Sequence, residues 1–237
     1  MYLVLFEFMI VDIYEIMGFG GFMGFCFSHN EKDIVWIDKQ DQLDNLTERL
    51  QSVCGYFAVD LEADSLHHYR DRVCLIQISL GDADYLVDPQ SNVNRDHLWE
   101  VFESERIGKI FHDADFDLRS LNRDYGIVPR SIFDTKISAE LLGKPRLGLS
   151  SILKEMFGIR LSKAFQRYRW SKRPIDREAM VYAALDTRYL SEIMNSFQNE
   201  LEETGRLDWA REEFKHLETC RWEPSQKEKL GFWRIAG

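Results

Sequence analysis

The sequence has no excess of basic residues, no CxxC pair of cysteines and no EF-hand-like loop. Its formal net charge of −10 argues against a protein whose whole surface holds nucleic acid. Any polyanionic ligand must therefore be bound by local basic groups or by metal ions. The four cysteines are expected to be ordinary core thiols in a reducing cytoplasm. Without a loop of regularly spaced Asp around a central Gly, a calcium-stabilised structural module is disfavoured.

The first 28 residues contain no Lys or Arg, although they are rich in Phe and Gly. A secretory signal peptide requires a basic start. A membrane-spanning helix requires about 20 apolar residues, and the longest uncharged run here, Ile16–Ser28, is too short and contains four glycines. We therefore predict no stable membrane insertion. Residues 1–32 are expected to lie outside the folded domain, as translation from a start codon set too far upstream would produce, and a peripheral membrane anchor is the alternative.

From Asp33 onward, apolar residues recur with the periods of strands and helices. With 45% hydrophobic residues in a chain of 237, one main core is expected. We predict strands at 34–38, 55–64, 72–80, 83–88 and 106–111, and helices at 41–52, near 96–103 and through 115–126. From 134 to about 204 the pattern predicts helices throughout. Strands that give way to alternating strands and helices favour an α/β fold with a helical C-terminal part.

The predicted strand at 55–64 ends in three alternating carboxylates, Asp60, Glu62 and Asp64. Because successive side chains of a strand point to opposite faces, these three are expected on one face. Like charges held that close repel each other. Either the acids are solvated, or a positive group lies between them.

Two further groups of acids occur on predicted helices or at their starts. Asp113, Asp115 and Asp117 stand where a predicted strand meets a helix. Tyr182 and Asp186 are four residues apart on a later predicted helix, where they share a face. Capping of the helix is the alternative explanation for Asp113 or Asp115. Taken together, carboxylates at a strand end and on two later helices are what a hard-cation site of oxygen ligands requires.

From about Ile34 to Trp222 the sequence resembles the DEDD-type 3′→5′ exonucleases of the Tyr subclass, and most of all ribonuclease D. The segments VDLEADS, FHDADFDLRSL and YAALD resemble the three exonuclease motifs of the family in order and spacing. The resemblance implies a ribonuclease H-like fold, a mixed five-stranded sheet flanked by helices, with the exonuclease domain at 33–204. It also implies that residues 205–237 are a helical tail leading toward an HRDC domain that this sequence lacks.

The resemblance also implies which residues are catalytic. By this resemblance, the metal-binding acids are Asp60, Glu62, Asp117 and Asp186, and Tyr182 lies beside the attacking water. In phosphodiester hydrolysis two divalent ions activate the water, neutralise phosphate charge and stabilise the leaving oxygen. Mg²⁺ is expected because it takes oxygen ligands, and Mn²⁺ should substitute for it. A phenol with an ordinary pKa of about 10 is a weak base at neutral pH, so Tyr182 is expected to orient the water.

The predicted activity is the 3′→5′ hydrolysis of single-stranded RNA ends to nucleoside 5′-monophosphates, as in the trimming of tRNA and structured RNA. A 3′→5′ DNA exonuclease would use the same acids and is the alternative, and RNA is favoured by overall likeness alone. A non-catalytic RNA-binding module would be expected to lack at least one of the four acids. None of them is missing.

The segment from Arg160 to Arg177 carries seven basic residues against a single acid, a local charge of +6 in a chain of −10. Basic groups interleaved with aromatic rings suit a backbone clamp with stacking surfaces for single-stranded bases. Leu61 and Phe116, within the first two motifs, are candidates to border the terminal base. The alternative for the basic segment is a solvated loop with its tryptophan in the core. The candidate substrate-binding residues of this segment are Lys163, Arg167, Arg169, Trp170 and Arg173.

Overall fold

The computed structural model describes residues 33–64 and 72–224, which fold around a six-stranded sheet. Across the sheet the strand order is β1-β4-β3-β2-β5-β6, which puts β2 and β3 at the centre. β1 pairs with β4, β2 with β5 and β5 with β6 in parallel, whereas β3 is antiparallel to β2 and β4. The sheet is therefore mixed, and the predicted α/β class is confirmed. The strands are β1 (Asp33–Ile37), β2 (Tyr56–Ala63), β3 (Val73–Leu80), β4 (Ala83–Val87), β5 (Gly108–Phe111) and β6 (Ile132–Asp134).

The five predicted strands are all present, but the described sheet has six strands rather than five. The additional strand, β6, contains only three residues and pairs with β5 from Lys109 to Phe111. A run this short contains too few residues to show the two-residue alternation that marks a strand. The number of strands expected from the family resemblance is corrected accordingly.

Helices pack against both faces of the sheet. On one face, α1 places its predicted apolar stripe of Leu43, Leu46 and Leu50 in a core shared with α2 and α3. On the other face, α4, α5, α7 and α8 surround Phe133, and α6 lies over β3 and β4. The helices are α1 (Gln40–Gln51), α2 (Asp96–Glu103), α3 (Asp115–Tyr125), α4 (Thr135–Leu141), α5 (Leu149–Phe157), α6 (Arg177–Arg188), α7 (Leu190–Glu203) and α8 (Leu207–Leu217).

The prediction of helices throughout 134 to about 204 is wrong for residues 142–148 and for most of residues 158–176. α5 ends at Phe157 and is followed by Gly158, whose φ of 74° is a left-handed conformation that glycine adopts at little cost. The stretch that follows contains a short 3-10 helix, Lys163–Phe165, before α6 begins at Arg177. The predicted substrate-binding residues of the basic segment therefore lie on a loop between α5 and α6, which we call the basic loop (residues 158–176).

The two ends of the sequence are only partly described. The predicted extension at 1–32 lies outside the described residues, as does the end of the predicted tail, 225–237. Within the tail, α8 is helical. Among residues 33–64 and 72–224, no helix has the length and apolar character needed to cross a membrane.

Candidate active site

β2 presents two acids on the face of the sheet that carries α6 and α7. Asp60 and Glu62 share that face with Ala58, because alternate residues of a strand point the same way. Across the antiparallel pair, Asp60 lies opposite Gln77, whose Nε2 donates a hydrogen bond to Asp60 Oδ2 at 3.2 Å. The third acid of the predicted row, Asp64, lies beyond a β-bulge that breaks the alternation, and it is buried there.

Gln77 is a site residue that the sequence pattern did not single out. It is fully buried in β3, where the residues on either side of it are buried as well. Burying an amide costs free energy unless it is hydrogen-bonded. A glutamine in the otherwise apolar run VCLIQ was therefore the available signal, and its bond orients the Asp60 carboxylate.

α3 supplies Asp117 from its first turn, where the side chain is buried. The turn before the helix is held by Asp134, which is itself buried. Its carboxylate accepts hydrogen bonds from the backbone N–H of Ala114 at 2.7 Å and of Asp113 at 3.3 Å. The same carboxylate caps α4 by accepting from two further backbone N–H groups. Asp134 thus fixes the start of α3, and with it the position of Asp117.

The two other acids of this motif have structural partners. Asp113 forms an ion pair with Lys136 at 2.5 Å, and Asp115 accepts two hydrogen bonds from the guanidinium of Arg119 one turn later. The hydrogen bonding to Arg119 lowers the pKa of Asp115. The side chain of neither acid caps α3, so the capping alternative is wrong.

α6 carries Tyr182 and Asp186 one turn apart on one side of the helix, as predicted. The buried side of α6 is formed largely by alanines, whose short side chains let the helix lie close to the sheet. One oxygen atom from each of Asp60, Glu62 and Asp186 lies within 4.8 Å of the other two. The structure therefore brings together acids from the first and third motifs that are more than 100 residues apart in sequence.

Burial raises the pKa of every acid in this group. The pKa of Asp60 rises to about 7 from an ordinary value of 3.8. For Glu62, burial and then repulsion by Asp60 and Asp186 raise the pKa well above its usual range. Burial and the nearby Asp60 do the same to the pKa of Asp117 and of Asp186. Asp117 thus belongs to the same electrostatic cluster, and the four acids form what we call the acid cluster.

The acid cluster fits divalent cations. Its side chains are all carboxylates, the ligands that Mg²⁺ and Mn²⁺ prefer. Within the described ranges, none of the four forms an ion pair with Lys or Arg. A cation between them would remove the mutual repulsion that raises their pKa values. Asp60, Glu62 and Asp186 are half-buried and Asp117 is buried, so the four acids are not freely solvated.

The ring of Tyr182 lies among aromatic side chains of the basic loop. Its centroid is 6.4 Å from that of Trp170, with an angle of 28° between the ring planes, and 5.6 Å from that of Phe165. Burial and then the carboxylates of Asp186 and Glu62 raise the pKa of the phenol. Tyr182 therefore keeps its proton at neutral pH, where its hydroxyl is able to donate a hydrogen bond.

Two residues of the basic loop that were predicted to contact substrate pack against the rest of the protein: Trp170 is buried and Arg173 is partly buried. Trp170 is 2% exposed, so its ring is not accessible to a base, and the alternative that placed it in the core is confirmed. The guanidinium of Arg173 forms an ion pair with Asp88 at 2.6 Å and donates to the carbonyl oxygen of Cys74 at 2.7 Å. It also lies over the ring of Trp36. Arg173 therefore anchors the loop to the sheet through Asp88 and Cys74.

The other candidate substrate residues differ in exposure. Arg167 and Arg169 are exposed on the basic loop, and Phe116 is 51% exposed at the start of α3. Leu61 is 6% exposed and belongs to the core on the opposite face of the sheet. Its side chain does not border the acid cluster, because neighbouring residues of a strand point to opposite faces. The side chain of Lys163 lies outside the described part of the chain.

The mixed sheet with helices on both faces, and the acid cluster built from β2, α3 and α6, define a ribonuclease H-like exonuclease core. The sequence profile of 3′-5′ exonucleases matches residues 34–202. The chain therefore belongs to the 3′-5′ exonuclease family, as its three motifs predicted.

Known proteins similar to this chain agree with that assignment. The exosome complex exonuclease RRP6 of Saccharomyces cerevisiae (strain ATCC 204508 / S288c) is 34% identical over 197 residues, which cover 83% of this chain and 27% of RRP6. The catalytic core of RRP6 from Trypanosoma brucei superposes with a TM-score of 0.77 at 29% identity, covering 86% of this chain and 58% of that one. Escherichia coli RNase D, an exoribonuclease involved in structured RNA processing, superposes with a TM-score of 0.76 at 28% identity, covering 83% and 52%.

Proposed function

We propose that the chain is a metal-dependent 3′→5′ exoribonuclease that shortens single-stranded RNA from its 3′ end and releases nucleoside 5′-monophosphates. The observation that carries this proposal is the convergence of Asp60, Glu62 and Asp186 within 4.8 Å, with Asp117 in the same electrostatic cluster. Four carboxylates suit two divalent ions, with Mg²⁺ as the expected ion and Mn²⁺ as its substitute.

The residues of the site have separate tasks in this proposal. The acid cluster would hold the two ions, which when bound acidify a water and neutralise charge on the phosphate and the leaving oxygen. Tyr182 keeps its proton because its pKa is raised, so it orients a water by donating a hydrogen bond and does not act as the base. The exposed ring of Phe116 offers a stacking surface for the terminal base. Arg167 and Arg169 bind backbone phosphates on the approach to the site.

RNA is the proposed substrate because the names of similar proteins describe them as RNA-processing exonucleases or as parts of the exosome complex. RRP6 of yeast is an exosome complex exonuclease, and E. coli RNase D is an exoribonuclease involved in structured RNA processing. By the same argument, we propose tRNA and other structured RNA with single-stranded 3′ ends as natural substrates. We also propose a cytoplasmic site of action, which the free thiols of Cys54, Cys74 and Cys220 support.

The choice between RNA and DNA is tested with matched oligonucleotides. An RNA and a DNA of one sequence, each labelled at the 5′ end, are incubated with the full chain and Mg²⁺, and the Asp186→Asn variant serves as the inactive control. The proposal expects faster shortening of the RNA, with nucleoside 5′-monophosphates as products. Faster shortening of the DNA would favour a DNA exonuclease with the same acids. Binding of RNA without shortening would favour a non-catalytic RNA-binding module.

A further inference from the structure

The C-terminal end of α6 is tied to the sheet by a buried polar cluster of Ser79, Asp84, Thr187 and Arg188, which we call the α6 clamp. Asp84, on β4, is fully buried and forms an ion pair with Nε of Arg188 at 2.6 Å. Ser79, its partner in register on β3, donates to Asp84 Oδ1 at 2.5 Å. Because an ionised carboxylate only accepts, the Ser79 hydroxyl proton points to Asp84. Thr187 Oγ1 then donates to Ser79 Oγ at 2.7 Å.

The α6 clamp lies next to the acid cluster both on the helix and on the sheet. On the helix, Thr187 and Arg188 directly follow Asp186. On the sheet, Ser79 lies two residues from Gln77 on the same face of β3, and Gln77 donates to Asp60. β3 therefore connects the clamp on α6 to the acid on β2.

Apolar packing alone gives α6 few features that fix its position along the sheet. Its buried side consists of Ala179, Ala183 and Ala184, followed by Thr187. Alanine side chains are too short to interlock deeply with the side chains of the sheet, so they allow close approach without setting a register. Hydrogen bonds and ion pairs are directional, and those of the clamp fix both the rotation of the helix and its axial position.

A buried ion pair is poor evidence for added stability. Removing two charges from water costs free energy that their attraction only partly offsets, and apolar replacements of similar volume are often neutral or stabilising. The best-attested use of such pairs is to specify one arrangement among several. The placement of Asp84 and Arg188 beside Asp186 agrees with this use.

We propose that Asp84 and Arg188 are positioning residues of the metal site, which hold the carboxylate of Asp186 in register with Asp60 and Glu62. This inference rests on the proposed function for the identity of the ion, a divalent cation. Neither Asp84 nor Arg188 needs to touch the ion or the RNA. Their ion pair fixes the C-terminal end of α6, and that end carries Asp186.

The test measures Mn²⁺ binding to the full chain by calorimetry without RNA, beside the melting temperature. The variant Asp84→Leu with Arg188→Met removes both charges together, which avoids leaving one of them buried and alone. We expect its Mn²⁺ affinity to fall about 10- to 100-fold, the usual effect of losing a group that orients a metal ligand. The Arg188→Lys variant, which keeps the charge, is expected to retain more of the affinity.

The matched control is Lys109→Met, which removes a buried, hydrogen-bonded lysine amine from β5. The ammonium of Lys109 donates to the carbonyl oxygen atoms of Ser104 at 2.7 Å and of Ile107 at 2.6 Å, so its loss should lower the melting temperature. Its Mn²⁺ affinity is expected to match the wild type. Wild-type affinity in the double variant would overturn the proposal, and so would an equal loss in Lys109→Met.

A second pair of variants keeps the test decisive when the double variant does not fold. Thr187→Val preserves the shape of the side chain while breaking the hydrogen bond between the hydroxyl groups of Thr187 and Ser79, and Arg188→Gln removes the charge of the ion pair with Asp84. Wild-type Mn²⁺ affinity in both would overturn the proposal. Because binding is measured without RNA, a wild-type chain that binds Mn²⁺ but leaves RNA intact contradicts the proposed function and not the positioning role.

Discussion

Trp170 and Tyr182 stack on each other, with ring centroids 6.4 Å apart and ring planes at 28°. The sequence suggested Trp170 as a stacking surface for bases. In the structure Trp170 instead supports Tyr182, the residue expected to orient the attacking water. The loop that carries Trp170 is in turn held by the ion pair of Arg173 with Asp88. In this account the basic loop has a buried side that shapes the site and an exposed side that faces the substrate.

The acid cluster is expected to be essential for activity. Loss of a group that only orients a metal ligand lowers metal affinity or activity about 10- to 100-fold. Loss of a ligand itself should therefore lower kcat at least about 100-fold while the fold survives. The variants are Asp60→Asn, Glu62→Gln, Asp117→Asn and Asp186→Asn. Asp115→Asn is the matched control, because Asp115 is bound to Arg119 instead. Single-turnover rates on a labelled RNA check this, and an Asp115 variant as damaged as the Asp117 variant would contradict the placement of the second motif.

The raised pKa of Asp60 predicts a pH-dependent stability difference in EDTA. In the folded chain Asp60 keeps its proton up to a pKa of about 7, whereas its ordinary value is 3.8. Between these values the unfolded chain has lost the proton and the folded chain has not, so the wild type loses stability as the pH rises through this window. Asp60→Asn lacks the contribution of this one carboxylate, so over the same window it should gain stability relative to the wild type, by roughly 4 kcal/mol at most.

Urea unfolding of both proteins at a series of pH values in EDTA measures this difference. Mg²⁺ should restore the stability of the wild type at the alkaline end, because the ion offsets the carboxylate charge, and should have less effect on Asp60→Asn. A difference between the two proteins that does not change with pH would contradict the raised pKa of Asp60.

The two sides of the basic loop should respond differently to mutation. Arg167→Ala and Arg169→Ala are expected to raise KM and flatten the salt dependence of RNA binding, because each lost phosphate contact removes a counterion-release contribution. Turnover at saturating RNA should change much less. Arg173→Ala should instead lower stability by about 3 kcal/mol, because it leaves Asp88 without its cation.

Salt titrations of RNA binding in Ca²⁺, which suppresses turnover, and urea unfolding separate these effects. An unaltered salt slope in both exposed-residue variants would return the exposed side of the loop to the alternative of a solvated surface. A stable Arg173→Ala variant with a flattened salt slope would restore Arg173 as a phosphate-binding residue.

Removal of residues 1–32 is expected to leave the enzyme unchanged. The family profile begins at residue 34, and β1 begins at Asp33. A chain that starts at Asp33 should therefore keep its melting temperature, KM and kcat. Vesicle flotation of the full and the shortened chain tests the alternative of a peripheral membrane anchor, which predicts that only the full chain binds lipid.

Much of the fold and of the acid cluster follows from sequence periodicity. The alternation in β2 places Asp60 and Glu62 on one face, and the four-residue spacing of Tyr182 and Asp186 places them on one side of α6. α3 ends at Tyr125, one residue before the predicted end at Gly126, whose φ is 74°. These features are local, so a single stretch of sequence contains the information that determines them.

What the sequence did not reveal depends on contacts between distant residues. Composition marks the basic loop as positive, but it does not show that Asp88, 85 residues earlier, neutralises Arg173. Likewise, Gln77 becomes a site residue only because the β2–β3 register puts it opposite Asp60. β6 was missed because its three residues gain strand character only from pairing with β5.

We propose that the acid cluster, with divalent ions bound, removes nucleotides one at a time from a free 3′ end. The most direct measurement compares a linear 5′-labelled RNA with a circular RNA of the same sequence, incubated with the full chain and Mg²⁺. We expect stepwise shortening of the linear RNA to nucleoside 5′-monophosphates, an intact circle, and no reaction in EDTA or with Asp186→Asn. Cleavage of the circle, or shortening that persists in EDTA, would contradict this proposal.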